Sequence, residues 1–222
     1  MTKLDRRLAA VSRFVPGPIH VDIGSDHGYL LRWLLRSGQI KLGIAIEKTE
    51  TPYQNSCRTL AGLNTDVRLA DGLGGLTEGE GDSVSLCGMG GRLIAEILSQ
   101  FPDRVPRVVI TAPNDHPDLV RRWAIEAGFE LDDEDFVFDK HPYMIQRFRK
   151  SVSGTSADKI YASITTNELD RKIALHFGPI LIRRRTPDFI AYLEREQTRL
   201  QRLPKRTTVS EQRLEMVKRL LG

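Results

Sequence analysis

From residue 19 to about residue 150, short runs rich in β-branched and aliphatic residues alternate with stretches whose apolar positions recur at helical spacing. The runs predict strands over Ile19–Ile23, Leu42–Glu47, Asp66–Leu69, Ser83–Cys87, Arg107–Thr111, Phe129–Phe138 and Tyr143–Arg149. Between the first five lie predicted helices at Tyr29–Arg36, Pro52–Ala61, Arg92–Ser99 and Pro117–Glu126. Strand, helix, strand at this spacing implies right-handed crossovers and a parallel sheet covered by helices on both faces. The last two strands follow each other with no helical pattern between them, so they are expected to close one edge as an antiparallel pair. Ahead of the first strand, MTKLDRRLAAVSRFV places aliphatics at helical spacing among charges; it has neither the apolar stretch nor the cleavage site of a signal peptide.

The pattern changes after Ser151–Asp158, whose Ser, Gly and Thr content reads as a linker. Phe189, Leu193, Leu200 and Leu203 fall near heptad spacing until Pro204 stops the helix, and Glu211–Leu221 places Leu214, Val217 and Leu221 on one face. Two such helices form a helical hairpin or short coiled coil. The expected architecture is therefore α/β: a doubly wound Rossmann-like sheet domain over residues 1–155 and a small C-terminal helical domain over 156–222.

A length of 222 residues suits one main domain with an appendage, and a hydrophobic fraction of 40% with 28% charged residues suits a globular chain. No apolar run approaches the roughly 20 residues of a membrane span, so a cytoplasmic protein is expected. Cys57 and Cys87 are too few for a disulfide framework, and no paired Cys or His spacing offers a metal site. The net charge of +4 is unevenly spread: from Ile180 to Gly222 there are 11 Lys and Arg against 5 Asp and Glu, a surplus of +6 that leaves −2 for the rest. A basic tail on a slightly acidic body suits a polyanion at one end of the molecule. A solvated helical face would give the same surplus.

The most informative local motif is His20-Val-Asp-Ile-Gly-Ser-Asp-His-Gly-Tyr-Leu30, at the end of the first strand and the start of the first crossover helix. Its Asp-x-Gly-x-x-x-Gly spacing differs from the Gly-x-Gly-x-x-Gly turn that feeds a pyrophosphate to a helix terminus. A carboxylate at the entry repels phosphate but suits a cationic sulfonium and its amino group, which points to S-adenosyl-L-methionine rather than a dinucleotide. Glu47, 19 residues after Gly28, ends the second strand where an acid can accept from ribose hydroxyls, and Asp71 follows the third strand where a carboxylate can receive an adenine amino group. Three acids at successive strand ends on one sheet edge mark the edge where such folds bind ligands.

The fourth strand ends in Cys87-Gly-Met-Gly-Gly-Arg92, where many amino-directed methyltransferases hold an Asn or Asp followed by two prolines and an aromatic. The glycines leave room for a planar base, or else only permit a close helix approach. The fifth strand leads into Thr111-Ala-Pro-Asn-Asp-His116, whose Asn114 can pair with a base edge or form part of a turn before a helix cap.

Asp-Ile-Gly-Ser-Asp-His-Gly-Tyr-Leu, Gly-Met-Gly-Gly, Pro113-Asn114 and Phe177-Gly178-Pro179 together resemble the bacterial tRNA (adenine-22-N1) methyltransferase family over most of the chain. The resemblance implies a class I methyltransferase, S-adenosyl-L-methionine as cofactor, tRNA as substrate and a C-terminal coiled coil. Carried over by position, Asp22, Gly24, Ser25, Asp26, His27, Gly28, Glu47, Asp71, Gly72, Gly88 and Met89 line the cofactor site. Ala112 and Met144 depart from the family pattern, which commonly has Gln and an acidic residue there, and both departures bear on base recognition. Adenine N1 carries a lone pair in the neutral base, so catalysis can be mostly positioning. Asp26 is the expected stabiliser of the charge that develops on the ring and Asn114 the orienting group. Tyr29, Met89 and Tyr143 are candidate stacking partners or equally core residues. Arg183, Arg184, Arg185, Arg199 and Arg202 are candidate phosphate contacts, with pairing of Arg183–Arg185 to acids of the main domain, holding the hairpin against it, as the alternative. A monomer is expected. A class I methyltransferase acting on another RNA, a protein or a small molecule is the alternative.

Overall fold

The computed structural model describes residues 4–151, 157–163 and 167–222. A seven-stranded sheet is built from β1 (Ile19–Ile23), β2 (Leu42–Glu47), β3 (Thr65–Leu69), β4 (Ser83–Cys87), β5 (Val108–Ala112), β6 (Phe129–Phe138) and β7 (Pro142–Lys150), in the order β3-β2-β1-β4-β5-β7-β6. The first five strands are parallel, and β7 enters antiparallel between β5 and β6. Strand order reverses between β1 and its neighbours β2 and β4, so a crevice opens above the carboxyl end of β1, where ligands bind in open α/β sheets.

The crossover helices are α2 (Tyr29–Arg36), α3 (Glu50–Leu60), α4 (Gly91–Gln100) and α5 (Pro117–Glu126), preceded by α1 (Arg6–Phe14). Apolar side chains fill a layer on each face of the sheet. Leu30, Leu31 and Leu34 of α2 are at most 1% exposed, and each contributes roughly 1.5–3 kcal/mol of burial. That packing fixes the turn which feeds α2. The turn itself needs glycine at Gly28, where φ is +68° and a Cβ would lie 2.9 Å from Leu60 Cγ.

Beyond β7 the chain is helical: α6 (Lys159–Ala162), α7 (Glu168–Phe177), α8 (Pro179–Arg184), α9 (Pro187–Gln201) and α10 (Thr208–Leu221). The pattern predicts α9 and α10 but not α6, α7 or α8, because α6 and α8 are only 4 and 6 residues long and too short for a period to register. The expected boundary at 155/156 and most of the expected linker lie outside the described residues.

Helices α9 and α10 run antiparallel, since Arg213 reaches Tyr192 and Glu196 while Arg185 reaches the carbonyl of Leu220. Their apolar faces are shared with the sheet: Phe189, Leu193, Met216 and Val217 pack in one cluster with Phe136 of β6 and Met144 of β7. The helical tail is thus a hairpin docked on the antiparallel edge of the sheet.

A fully buried ion pair pins this junction. Arg121 of α5 donates through Nε (2.9 Å) and Nη2 (2.5 Å) to Oε1 of Glu134 on β6, and its Nη1 donates to the carbonyl of Leu175 at 2.6 Å. Oε2 of Glu134 accepts the amide N–H of Ile180 at 3.0 Å. Between α7 and α8, Gly178 has φ +88°, and a Cβ there would stand 2.6 Å from both Glu134 carboxylate oxygens. Arg184 Nη1 donates to the carbonyl of Glu134 at 2.5 Å, and Arg6 Nη1 donates to that of Phe138 at 3.0 Å, both on the edge strand β6.

Candidate functional site

A cleft of about 330 Å³ opens at the carboxyl end of β1, between the β1–α2 turn, the end of β4 and the first turn of α1. Asp22, 4% exposed, stands at its floor as the last but one residue of β1. Its Oδ1 accepts from Ser85 Oγ at 2.5 Å, and Ser85 Oγ lies 2.9 Å from Nε2 of His20, whose Nδ1 is 2.8 Å from Ser83 Oγ. Burial lowers the His20 pKa to about 3, so the ring is neutral and one nitrogen donates while the other accepts. The consistent assignment has Ser83 donating to Nδ1, Nε2–H donating to Ser85, and Ser85 donating to Asp22. Burial pushes the Asp22 carboxyl above the ordinary range, opposed by hydrogen bonds from Ser85 and Ser25 and by the charge of Arg7.

The turn that follows is a run of unusual backbone: Gly24, Asp26 and Gly28 have φ of +69°, +61° and +68°. Asp26 is a non-glycine residue in the left-handed region, a conformation that persists only where its surroundings hold it and that clusters at functional sites. Ser25 Oγ accepts the N–H of Gly28 at 3.1 Å, closing the loop on itself. His27 stacks on Tyr29 with ring centroids 5.2 Å apart and places Nε2 3.4 Å from an Asp26 carboxylate oxygen. Tyr29 is 44% exposed on the rim, with the Arg32 guanidinium over its ring.

Glu47 ends β2 and is 2% exposed. It accepts from Ser56 Oγ at 2.9 Å, and burial raises its pKa against that bond and the amide of Asp26. Asp71 follows β3 on the same sheet edge, exposed and paired with Lys48 Nζ at 2.8 Å. Gly72 is buried, and a Cβ there would meet Ile97 at 2.9 Å, so its side contributes the close approach of α4.

At the end of β4, Gly88 has φ +76° and borders the cleft, and a Cβ on it would stand 3.1 Å from Arg7 Nη1. The Met89 methyl lies 3.3 Å from where a Gly24 Cβ would be, so Met89 packs over the glycine turn. Asn114 donates from Nδ2 to the Gly88 carbonyl at 2.6 Å, and its amide N–H donates to the Met89 carbonyl at 2.9 Å. The loops after β4 and β5 are thereby tied. Tyr143 is half-buried against the core with Arg7 over its ring. Ala112 is fully buried and Met144 is 7% exposed with Sδ 3.8 Å from Arg121 Nη2, so neither departure from the family pattern lies in this cleft.

The motif reading missed Arg7. No local pattern marks it, because the amphipathic helix α1 brings it over the cleft only through tertiary packing. With Asp22 it gives the cleft one buried carboxylate and one guanidinium, the complement of an amino acid's ammonium and carboxylate, while Gly24 and Gly88 provide cradles that a Cβ would fill. The donor set fits S-adenosylmethionine.

In the tail, Arg184 and Arg185 are engaged within the molecule: Arg184 on the Glu134 carbonyl and Asp133 (2.7 Å), Arg185 on the Leu220 carbonyl at 2.8 Å. These bonds are of the kind expected if the two arginines hold the hairpin against the sheet domain, and both residues remain exposed. Arg199 and Arg202, together with Arg195, lie along an exposed groove of α9; Arg199 also pairs with Glu196 at 2.7 Å, and Arg183 is exposed. Among the described residues no group of three His, Cys, Asp or Glu side chains is placed to hold a metal ion, and no helix is long and apolar enough to cross a membrane.

A family profile described as TrmK, tRNA (adenine(22)-N(1))-methyltransferase, matches residues 20–220. A tRNA (adenine(22)-N(1))-methyltransferase of Bacillus subtilis is 37% identical over 139 residues, 60% of this chain and 58% of that relative, so the match spans less than two thirds of the curated relative's length. Among solved structures, the Streptococcus pneumoniae protein Sp1610, described as a putative tRNA (m1A22) methyltransferase in complex with S-adenosyl-L-methionine, superposes with a TM-score of 0.84 at 30% identity, covering 99% of this chain and 100% of that one. The B. subtilis M1A22 tRNA methyltransferase TrmK superposes with a TM-score of 0.83 at 27% identity over 100% of both chains.

Proposed function

The chain belongs to the tRNA (adenine(22)-N(1))-methyltransferase family, and from that premise we propose that it transfers the methyl group of S-adenosylmethionine to N1 of adenine 22 in tRNA. The observation that carries the reading is the cleft in which Asp22 and Arg7 face each other beside the glycine turns of β1 and β4. When bound, the cofactor supplies an electrophilic methyl group on a sulfonium. Asp22 accepts from its ammonium, Arg7 donates to its carboxylate, and Glu47 accepts from its ribose hydroxyls. Asp71 serves the adenine edge after exchanging its surface partner Lys48.

Adenine N1 is already a lone-pair nucleophile, so the protein's part is to hold the base in line with the methyl group. The base lies over the Gly88–Met89 turn, with Oδ1 of Asn114 accepting from N6. Methylation makes the ring cationic, and the Asp26 carboxylate, held at the mouth of the cleft by its left-handed backbone, stabilises that charge. N1 takes part in Watson–Crick pairing, so the nucleotide is handled outside a helix. The Tyr29–His27 stack offers a flat surface at the rim for it. Arg195, Arg199 and Arg202 of α9 meet the phosphates. On this reading the enzyme works as a monomer in the cytoplasm, where its tRNA substrate is.

Incubating the protein with labelled S-adenosylmethionine and a tRNA mixture, then mapping the label, tests the reading. Label at N1 of adenine 22 supports it; label in protein or in another RNA favours a different class I methyltransferase. Asp26→Asn is expected to retain cofactor binding better than catalysis, lowering kcat by about 10- to 1,000-fold, and a wild-type kcat would return Asp26 to a purely structural role.

A further inference from the structure

A second cavity, of about 400 Å³, lies at the seam between the loop after β5 and the tail helix α10. Its walls include Pro117, Met144 and Met216, and its polar groups include His116 and Gln212. Val209, at the start of α10, borders the opening and is 74% exposed, the most exposed large apolar side chain among the described residues. Two of its carboxylates are spent: Asp115 accepts the N–H of Gly91 at 3.2 Å, and Asp118 faces His176 at 3.5 Å. Its guanidinium, from Arg213, is likewise held by Glu196 and Tyr192 (2.9 Å). With its charged groups partnered within the fold, the cavity presents apolar walls and the polar edges of His116 and Gln212, a chemistry that suits a flat heteroaromatic ring with a hydrogen-bonding edge.

The cavity is separated from the transfer site by a single layer of chain. Asn114 borders the cavity, and its Nδ2 donates at 2.6 Å to the carbonyl of Gly88, which borders the cofactor cleft. Extruding one base from a tRNA strand strips the next base of a stacking partner, and proteins that handle unstacked nucleotides compensate by sandwiching them. The opening also lies on the basic tail, where a polyanion would run.

We propose that the seam cavity receives the nucleobase adjacent in sequence to the methylated adenine, making it a second nucleotide site that helps select the tRNA. The assignment rests on the proposed function and adds to it a specificity element built jointly by the sheet domain and the tail. His116 and Gln212 read the edge of the ring, and Val209 closes over its face.

The test uses the full-length enzyme carrying Val209→Glu or Gln212→Ala, both at exposed positions outside the cofactor cleft. Each is expected to raise KM for tRNA about tenfold, with kcat, S-adenosylmethionine affinity and Tm close to wild type. Transfer RNAs with an abasic nucleotide on either side of the target supply the second arm. The abasic site that empties the cavity should raise the wild-type KM by a similar factor and leave little further effect for either variant. Wild-type KM in both variants, or abasic effects that multiply fully with those of the variants, overturns the assignment. A wild-type enzyme that leaves adenine 22 unmodified overturns the proposed function itself, and the nucleotide site with it.

Discussion

Asp22 illustrates how burial is turned to use at a single residue. In the ligand-free protein the folded state holds the Asp22 proton more tightly than the unfolded chain does, because burial raises the pKa. Ionising it therefore costs stability as pH rises through the folded pKa. Glu47, also raised by burial, has the same sign. A cationic ammonium in the cleft reverses the preference, since only the carboxylate pairs with it. Cofactor affinity is thus expected to fall as pH is lowered through the raised pKa, beginning at a higher pH than an exposed Asp would give. Ser85→Ala removes one stabilising bond from the carboxylate and should move that midpoint further upward. Calorimetric titrations across pH read both effects, and a midpoint unmoved by Ser85→Ala would show the bond to be idle. At this scale the motif makes Gly24 and Gly28 legible because the turn needs positive φ there, Asp22 is legible as the acid at the strand end, and Gly88 through the family resemblance. Arg7 and His20 are not legible, since their roles exist only once α1 and β4 have packed beside β1.

At the scale of elements, Arg195, Arg199 and Arg202 line one exposed groove along α9 and its C-cap, a surface that suits a polyanion. Replacing Arg195, Arg199 and Arg202 with Ala is expected to raise KM for tRNA and leave cofactor affinity alone. Three phosphate contacts correspond to about 2 to 3 units of the log–log salt slope, so titrations at several salt concentrations should flatten by that amount. A lower Tm with an unchanged slope would instead make these residues structural. The strands were readable almost to the residue because four of the five parallel ones are largely buried and appear as apolar runs. β3, outermost and half-exposed, is the weaker signal. Helix α7 carries the signal that the periodic reading passed over: Leu169, Ile173 and Phe177 recur at helical spacing and pack in one cluster, and Asn167 caps the start by accepting from Asp170 N–H.

At the scale of the molecule, the Arg121–Glu134 pair decides whether sheet and tail behave as one body. Both side chains are 0% exposed, and removing one partner of such a pair typically costs about 3–5 kcal/mol because the other charge is left buried alone. Glu134→Gln is expected to destabilise the protein on that order, measured by denaturant unfolding, and to raise KM for tRNA more than Kd for the cofactor. Neither residue stands out in the sequence, where Arg121 adjoins a second arginine and Glu134 sits in a run of acids; only the pairing of β6 against α5 and α8 selects them. The two arginines that donate to Glu134 and Phe138 carbonyls have a further consequence. β6 is the edge strand at the end of the sheet opposite β3, and an open strand edge is a template for pairing with another chain. Arg6 and Arg184, far apart in the sequence, occupy two of its acceptors, so replacing both with Ala would bare part of that template and is expected to promote aggregation, read by light scattering, while Arg7 and Asp22 keep the cofactor cleft.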